Sequence, residues 1–188
     1  MSIFSSLRYC LSESAGTTTP ASATDLWLAV SLPALGLFFD FLDGRVARWR
    51  KKSSLMGQEL DSLADLISFG VAPAMLAFTI GMRSCVDQLL LTVYILCGLT
   101  RLARFNVTAT ALPKDASGKS KYFEGTPIPT SLMEVSIMAF WVSKGWIMEK
   151  LPGGAFGEGQ WWEFHVLAGV FVIHGCLMCS KTLHVPKP

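Results

Sequence analysis

Charged side chains are scarce in this sequence: they make up 16% of its 188 residues, while 51% of the residues are hydrophobic. With a mean hydropathy of +0.43, this scarcity excludes an ordinary soluble domain and indicates an integral membrane protein. A net charge of only +2 gives no sign of a nucleic-acid partner, and none is predicted. The three histidines are scattered and Cys176-x-x-Cys179 has no second such pair, so no zinc site is predicted either.

Five apolar stretches approach the roughly 20 residues that a helix needs to cross hydrocarbon. They cover residues 26–42, 62–82, 86–103, 128–148 and 162–180. The sequence therefore predicts an all-α, polytopic membrane helix bundle over residues 26–180, preceded by an N-terminal segment and flexible loop (1–25) and followed by a cytoplasmic tail (181–188). If the helices alternate in direction, twelve of the sixteen lysines and arginines fall on one side, which the positive-inside rule makes cytoplasmic.

Four aspartates lie where the first two apolar stretches meet on that side. Asp40 and Asp43 are three positions apart, and Asp61 and Asp65 are four apart, so each pair shares one helical face. A short basic loop joins the two pairs and brings the four carboxylates together. Clustered anions repel one another unless cations neutralise them, and an all-oxygen ligand set favours two Mg²⁺ or Mn²⁺ ions, an arrangement used for attack at phosphorus.

Small residues and one arginine are interleaved with these aspartates. Gly44 and Ala47 leave room for a ligand to approach the backbone, and Gly57 permits close packing before the second helix. Arg48 is suited to bind a phosphate as a forked donor. An ion or proton transporter is the alternative from another class, since membrane carboxylates mark such pathways. It explains the acids but not the glycines or the Ala47–Arg48 pair.

The full pattern, Asp40-x2-Asp43-Gly44-x2-Ala47-Arg48-x8-Gly57-x3-Asp61-x3-Asp65, resembles the signature of the CDP-alcohol phosphotransferase family, with every signature position filled. In that family a CDP-linked lipid gives its phosphatidyl group to an alcohol and CMP leaves. The resemblance implies that all four aspartates are metal ligands and that Asp65 is also the base for the acceptor hydroxyl. It implies a CDP-binding set of Asp40, Gly44, Ala47, Arg48 and Gly57.

Three further stretches resemble the phosphatidylserine synthase branch, especially its fungal members: residues 53–74, 98–108 (GLTRLARFNVT) and 121–131 (KYFEGTPIPTS). Arg101 and Arg104 lie one helical turn apart with Asn106 beyond, a set suited to hold the serine carboxylate. The alternative is that these arginines anchor the helix end or meet lipid phosphates. Residues 126–129 (TPIP) are expected to form a rigid start to the next helix and to border the pocket.

That resemblance implies transfer from CDP-diacylglycerol to L-serine, giving phosphatidylserine and CMP, in the endoplasmic reticulum membrane with the site facing the cytoplasm. Membrane lipids are expected partners, and a homodimer is left open. Inositol or glycerol phosphate remains the alternative acceptor. The family fold has six transmembrane helices with the signature between the second and third, whereas here it lies between the first and second. We therefore expect this sequence to lack the family's first helix and to be weakly active without it.

Overall fold

A computed structural model describes residues 1–16, 20–50, 55–111, 122–157, 162–180 and 184–186. Within these ranges the α-helices are α1 Ser2–Ser14, α2 Pro20–Arg50, α3 Leu55–Asp65, α4 Ala72–Ile80, α5 Cys85–Ala111, α6 Leu132–Lys144 and α7 Val166–Cys179. A π-helical turn, Leu66–Val71, joins α3 to α4, and 3₁₀-helices lie at Ile128–Ser131 and Met148–Lys150. The prediction of an all-α membrane bundle is confirmed.

Four short strands form two antiparallel pairs, one at each end of α7. Strand β1 (Tyr122–Glu124) pairs antiparallel with β4 (His184–Pro186), just beyond the C-terminal end of α7. Strand β2 (Ala155–Phe156) pairs antiparallel with β3 (Phe164–His165), just before the N-terminal end of α7. Of the predicted tail, only the β4 residues lie in the described part of the chain.

Three helical segments in the described residues are long and apolar enough to cross a membrane: Ala23–Leu42, Glu59–Ile80 and Cys85–Val107. They correspond to the first three apolar stretches of the sequence. The fourth stretch forms a 3₁₀-helix and the 13-residue α6, which ends at Gly145 in the left-handed region (φ +68°). The fifth contains the 14-residue apolar helix α7. Gly145 thus ends α6 before its apolar run ends, and strand β3 occupies the start of the run that contains α7.

Helix boundaries differ from the sequence expectation at two further places. Helix α2 continues through Pro33 without interruption. Helix α1 reaches Ser14 and α2 begins at Pro20, so helices extend further into residues 12–25 than their loop-like composition predicts. Residues 17–19 lie outside the described ranges.

Helix α1 packs against α2 and α4 with its polar face inward. Ser2, Ser6 and Tyr9 are buried, and the Ser2 hydroxyl donates to the Ala29 carbonyl at 2.7 Å. Phe4 and Leu11 point outward with 68% and 67% of their surface exposed. An apolar exterior around a partly polar interior suits a helix in lipid, where polar groups must find partners inside the protein.

Buried polar contacts connect the helices at the end of the bundle opposite the aspartates, around the start of α5. Asp87 is fully buried and accepts from the His165 backbone N–H at 2.8 Å, and its other oxygen lies 2.6 Å from His165 Nδ1. Asp87 and Ser84 also cap the start of α5 reciprocally, at 3.3 and 3.0 Å. The Arg83 guanidinium pairs with Glu13 of α1 at 2.7 Å. Helices α1, α5 and α7 are therefore tied together at this end.

Candidate active site

Three of the four aspartates lie near the π-helical turn, which contacts α2, α3 and α5. Asp40 lies on α2, two residues before the end of its apolar part, and Asp61 and Asp65 lie on α3. Asp65 interacts electrostatically with Asp40 and Asp61, and with Arg101 of α5. Asp40 and Asp65 are half-buried and Asp61 is exposed. Electrostatic interactions thus link Asp65 with one member of the other predicted pair, Asp40, and with its own pair member, Asp61.

The remaining signature residues are described only in part. The backbone of Asp43, Ala47 and Arg48 is helical in α2, but their side chains lie outside what the structure describes. Gly44 and Gly57 are both exposed, one on α2 and one in the first turn of α3. Among the described side chains, no three His, Cys, Asp or Glu residues are placed to hold one metal ion together.

A π-helical turn begins directly after Asp65, and its conformation is held from α5. The Tyr94 hydroxyl, buried in the core, donates to the Phe69 carbonyl at 3.1 Å. A π-helical turn leaves backbone groups out of the ordinary α-helical pattern, and such turns are frequent at functional sites. Tyr94 therefore supplies a partner to the turn that carries the backbone from the aspartates into α4.

The three residues predicted to bind the acceptor all lie on α5, but they face different neighbours. Arg101 is buried, interacts electrostatically with Asp65 and has its guanidinium carbon 5.8 Å from the centre of the Phe105 ring. The Asn106 Oδ1 accepts from Ser62 of α3 at 3.2 Å. The Arg104 Nη1 donates to the Cys179 carbonyl at 3.0 Å. Asn106 thus contacts α3 and Arg101 interacts electrostatically with it, while Arg104 reaches the end of α7.

The segment before α6 lies along that same end of α7. The Thr126 N–H donates to the Leu177 carbonyl at 3.4 Å, and Gly125 lies against the Met178 carbonyl. Ile128 is fully buried. Residues 126–129 therefore form a fixed start to the next helix, next to the helix end that holds Arg104.

A buried polar pair in the same region was missed by sequence reasoning, which considered the scattered histidines only as zinc ligands. His174 Nδ1 lies 2.9 Å from Glu134 Oε1, and both side chains are almost fully buried. The signal that could have found the pair is an ionisable residue inside each of two apolar stretches, since such residues in membrane helices need partners.

Comparison with known proteins gives one family and several relatives. The family described as CDP-alcohol phosphatidyltransferase matches residues 2–174. The CDP-diacylglycerol–serine O-phosphatidyltransferase of Saccharomyces cerevisiae is 63% identical over 155 residues, which are 82% of this chain and 56% of that protein. The Bacillus subtilis protein of the same name is 41% identical over 56% of each chain. An archaetidylserine synthase of Methanothermobacter thermautotrophicus is 39% identical over 57% of this chain and 44% of that protein.

The matched part is about half the length of these curated relatives. No solved structure matches the chain.

Proposed function

The chain belongs to the CDP-alcohol phosphatidyltransferase family, and from that premise we propose that it transfers the phosphatidyl group of CDP-diacylglycerol to L-serine, giving phosphatidylserine and CMP. The observation that carries the proposal is the 63% identity with the yeast serine O-phosphatidyltransferase, which extends over 82% of this chain. The chain forms a multi-pass membrane protein. We place it in the endoplasmic reticulum with its aspartates facing the cytoplasm, because the basic loops lie on that side.

The family generally uses divalent metal ions. The chemistry of the donor set fits such ions: Asp40, Asp61 and Asp65 offer only carboxylate oxygens, which Mg²⁺ and Mn²⁺ prefer, and Asp65 interacts electrostatically with the other two. We propose that these three, together with Asp43, hold two Mg²⁺ or Mn²⁺ ions. When bound, the ions would neutralise the charge of the CDP-diacylglycerol phosphates and of the departing CMP.

The proton and the bond changes are assigned to residues of α3 and α5. Asp65 takes the proton from the serine hydroxyl, the serine oxygen forms a bond to the phosphorus of the phosphatidyl group, and the bond from that phosphorus to the CMP oxygen breaks. Asp65 is half-buried and interacts electrostatically with Arg101, so the proposed base and a residue proposed to hold the acceptor lie in the same region. Orientation of the hydroxyl then contributes much of the rate.

Substrate binding is assigned to the two sides of this centre. We propose that Asp40, Gly44, Ala47, Arg48 and Gly57 bind the CDP group. Arg101, Arg104 and Asn106 bind serine. The Arg104 Nη2 supports the second assignment, because it is buried and has no hydrogen-bond partner in the described part of the chain. A guanidinium with a free donor is suited to a carboxylate.

The test supplies purified protein in detergent micelles with CDP-diacylglycerol, Mn²⁺ and a panel of labelled alcohols, and identifies the lipid made. We expect labelled phosphatidylserine from L-serine and little product from inositol or glycerol phosphate. Asp61→Asn should abolish the formation of phosphatidylserine. Asp25→Asn is the matched control, because Asp25 pairs with Arg8 near the start of α2, far along the helix from Asp40. Phosphatidylinositol as the main product would contradict the serine assignment, and metal-dependent ion flux without lipid synthesis would favour a transporter.

A further inference from the structure

Both ring nitrogens of His174, which pairs with Glu134, have a hydrogen-bond partner. Nδ1 lies 2.9 Å from Glu134 Oε1, and Nε2 lies 2.8 Å from the Thr130 hydroxyl oxygen. The Glu134 and His174 residues have only 3% and 9% of their surface exposed. With a partner on each side, the ring has one orientation, and it joins α7 to the 3₁₀-helix and to the first turn of α6.

The protons in this network can be assigned from the hydrogen bonds. The Thr130 hydroxyl donates its one proton to the Pro127 carbonyl at 2.6 Å, so its oxygen accepts from His174 Nε2–H. One proton is then shared between Nδ1 and the Glu134 carboxylate, because two lone pairs would repel at that distance. The pair is neutral overall whichever atom holds the proton, so its burial leaves no uncompensated charge. A glutamine at position 134 could donate its amide N–H to Nδ1 and keep the network.

The same helix end holds the residues assigned to the acceptor. The Leu177 carbonyl accepts from the Thr126 N–H, and the Cys179 carbonyl accepts from Arg104. At about 1.5 Å of rise per residue, Cys179 lies only ~7.5 Å along α7 from His174. Fixing α7 at His174 therefore fixes where these two carbonyls lie.

Two buried donors at this helix end have no partner in the described part of the chain. They are Arg104 Nη2 and the Thr126 hydroxyl. Buried polar groups in proteins are normally paired, so unpaired ones call for an explanation such as a ligand. A cationic donor together with a hydroxyl suits a carboxylate.

We propose that Glu134 and His174 are a positioning pair for the acceptor. They hold residues 125–131 and the last turn of α7 in the one arrangement that directs Arg104 and Thr126 at the carboxylate of the acceptor amino acid. This inference rests on the proposed function for the identity of the acceptor. It adds Thr126 to the residues that contact serine, and it gives the pair a role through the backbone rather than in the chemistry.

The experiment uses the full chain in detergent micelles with CDP-diacylglycerol present. It measures the Kd of labelled L-serine by equilibrium dialysis, the Kd of CDP-diacylglycerol, and hydrogen exchange of the Thr126 and Thr130 amides. Glu134→Ala and His174→Ala should each raise the serine Kd about tenfold, while the CDP-diacylglycerol Kd changes less than about twofold. Both amides should exchange faster. Glu134→Gln should stay within about threefold of the parent Kd for serine, because its amide replaces the shared proton.

His165→Ala is the matched control, because it removes a second buried His–carboxylate pair at the opposite end of α7. It should lower stability and leave the serine Kd unchanged. A rise in serine Kd as large for His165→Ala as for His174→Ala would overturn the proposal, and so would Glu134→Gln behaving like Glu134→Ala. If the parent chain binds no serine but Glu134→Ala still speeds exchange at Thr126, the acceptor assignment fails and the positioning pair stands. If the Thr126 and Thr130 amides exchange at an unchanged rate in Glu134→Ala, the proposal that the pair positions this segment is wrong.

Discussion

Gly125 is the position where one added methyl group has the most definite consequence. Its φ is +78°, and an added Cβ would lie 2.4 Å from the Met178 carbonyl oxygen and 3.1 Å from the carbonyl carbon. These are backbone atoms of α7, so no flexible side chain can move aside. Gly125→Ala must therefore displace the segment from the helix end, and with it the neighbouring Thr126–Leu177 hydrogen bond.

The magnitude follows from two terms. The left-handed conformation costs an alanine about 1–2 kcal/mol, and the lost hydrogen bond about 0.5–1.5 kcal/mol more. We expect Gly125→Ala to lower the free energy of unfolding by about 2–3 kcal/mol. Gly145→Ala is a control of the same kind, because Gly145 has φ +68° but nothing within 4 Å of the added Cβ. The loss of stability in Gly145→Ala should therefore reflect only the cost of the left-handed conformation.

The assay is equilibrium unfolding in mixed micelles, followed by the apparent KM for serine in the fraction that remains folded. Gly125→Ala should be about 1 kcal/mol less stable than Gly145→Ala. It should also raise the serine KM, since Thr126 moves with its neighbour, whereas Gly145→Ala should leave that KM unchanged. Equal losses of stability and equal KM values in the two variants would refute the reasoning that the segment is held by close approach to α7.

Further outcomes are expected at the site and at the opposite end of the bundle. Excess chelator should stop transfer reversibly in a labelled-serine assay, and full activity in chelator would exclude the metal proposal. Asp65→Asn should lower kcat by orders of magnitude while CDP-diacylglycerol binding, measured by dialysis, is largely kept; loss of binding with normal turnover would contradict its role as the base. Arg101→Ala should raise the KM for serine more than that for CDP-diacylglycerol, and equal effects would indicate damage to the fold. Asp87→Ala should lower the free energy of unfolding by about 2–3 kcal/mol, because three donors lose their acceptor, with kcat of the folded protein unchanged.

The sequence could predict features that depend on local spacing or on resemblance. Asp61 and Asp65 are four residues apart, so they share one helical face whatever the helix packs against. The predicted family and the all-α membrane class are confirmed. The sequence also points to Arg101, which interacts electrostatically with Asp65 in the structure. The roles of these residues stay predictions.

The remainder depends on contacts between distant parts of the chain. Glu134 and His174 are 40 positions apart and Asp87 and His165 are 78 apart, so no periodicity relates them. Their pairing is fixed only when α6 and α5 pack against α7. Helix length was also hard to predict, because α2 continues through Pro33, a residue type that commonly interrupts helices, while α6 ends before Gly145.

The π-helical turn at Leu66–Val71 separates two helical registers within one membrane crossing. Such a turn is an α-helix with one residue inserted, and one residue corresponds to about 100° of rotation. The upstream register sets the direction of Asp61 and Asp65, and the downstream register sets which side chains of α4 enter the core, where Leu76 and Ile80 are fully buried. Deleting a single residue from the turn would leave both halves helical and the core of α4 intact, yet rotate the carboxylates away from Asp40. The arrangement of the aspartates can therefore be lost through a change of angle alone, with all four of them still present.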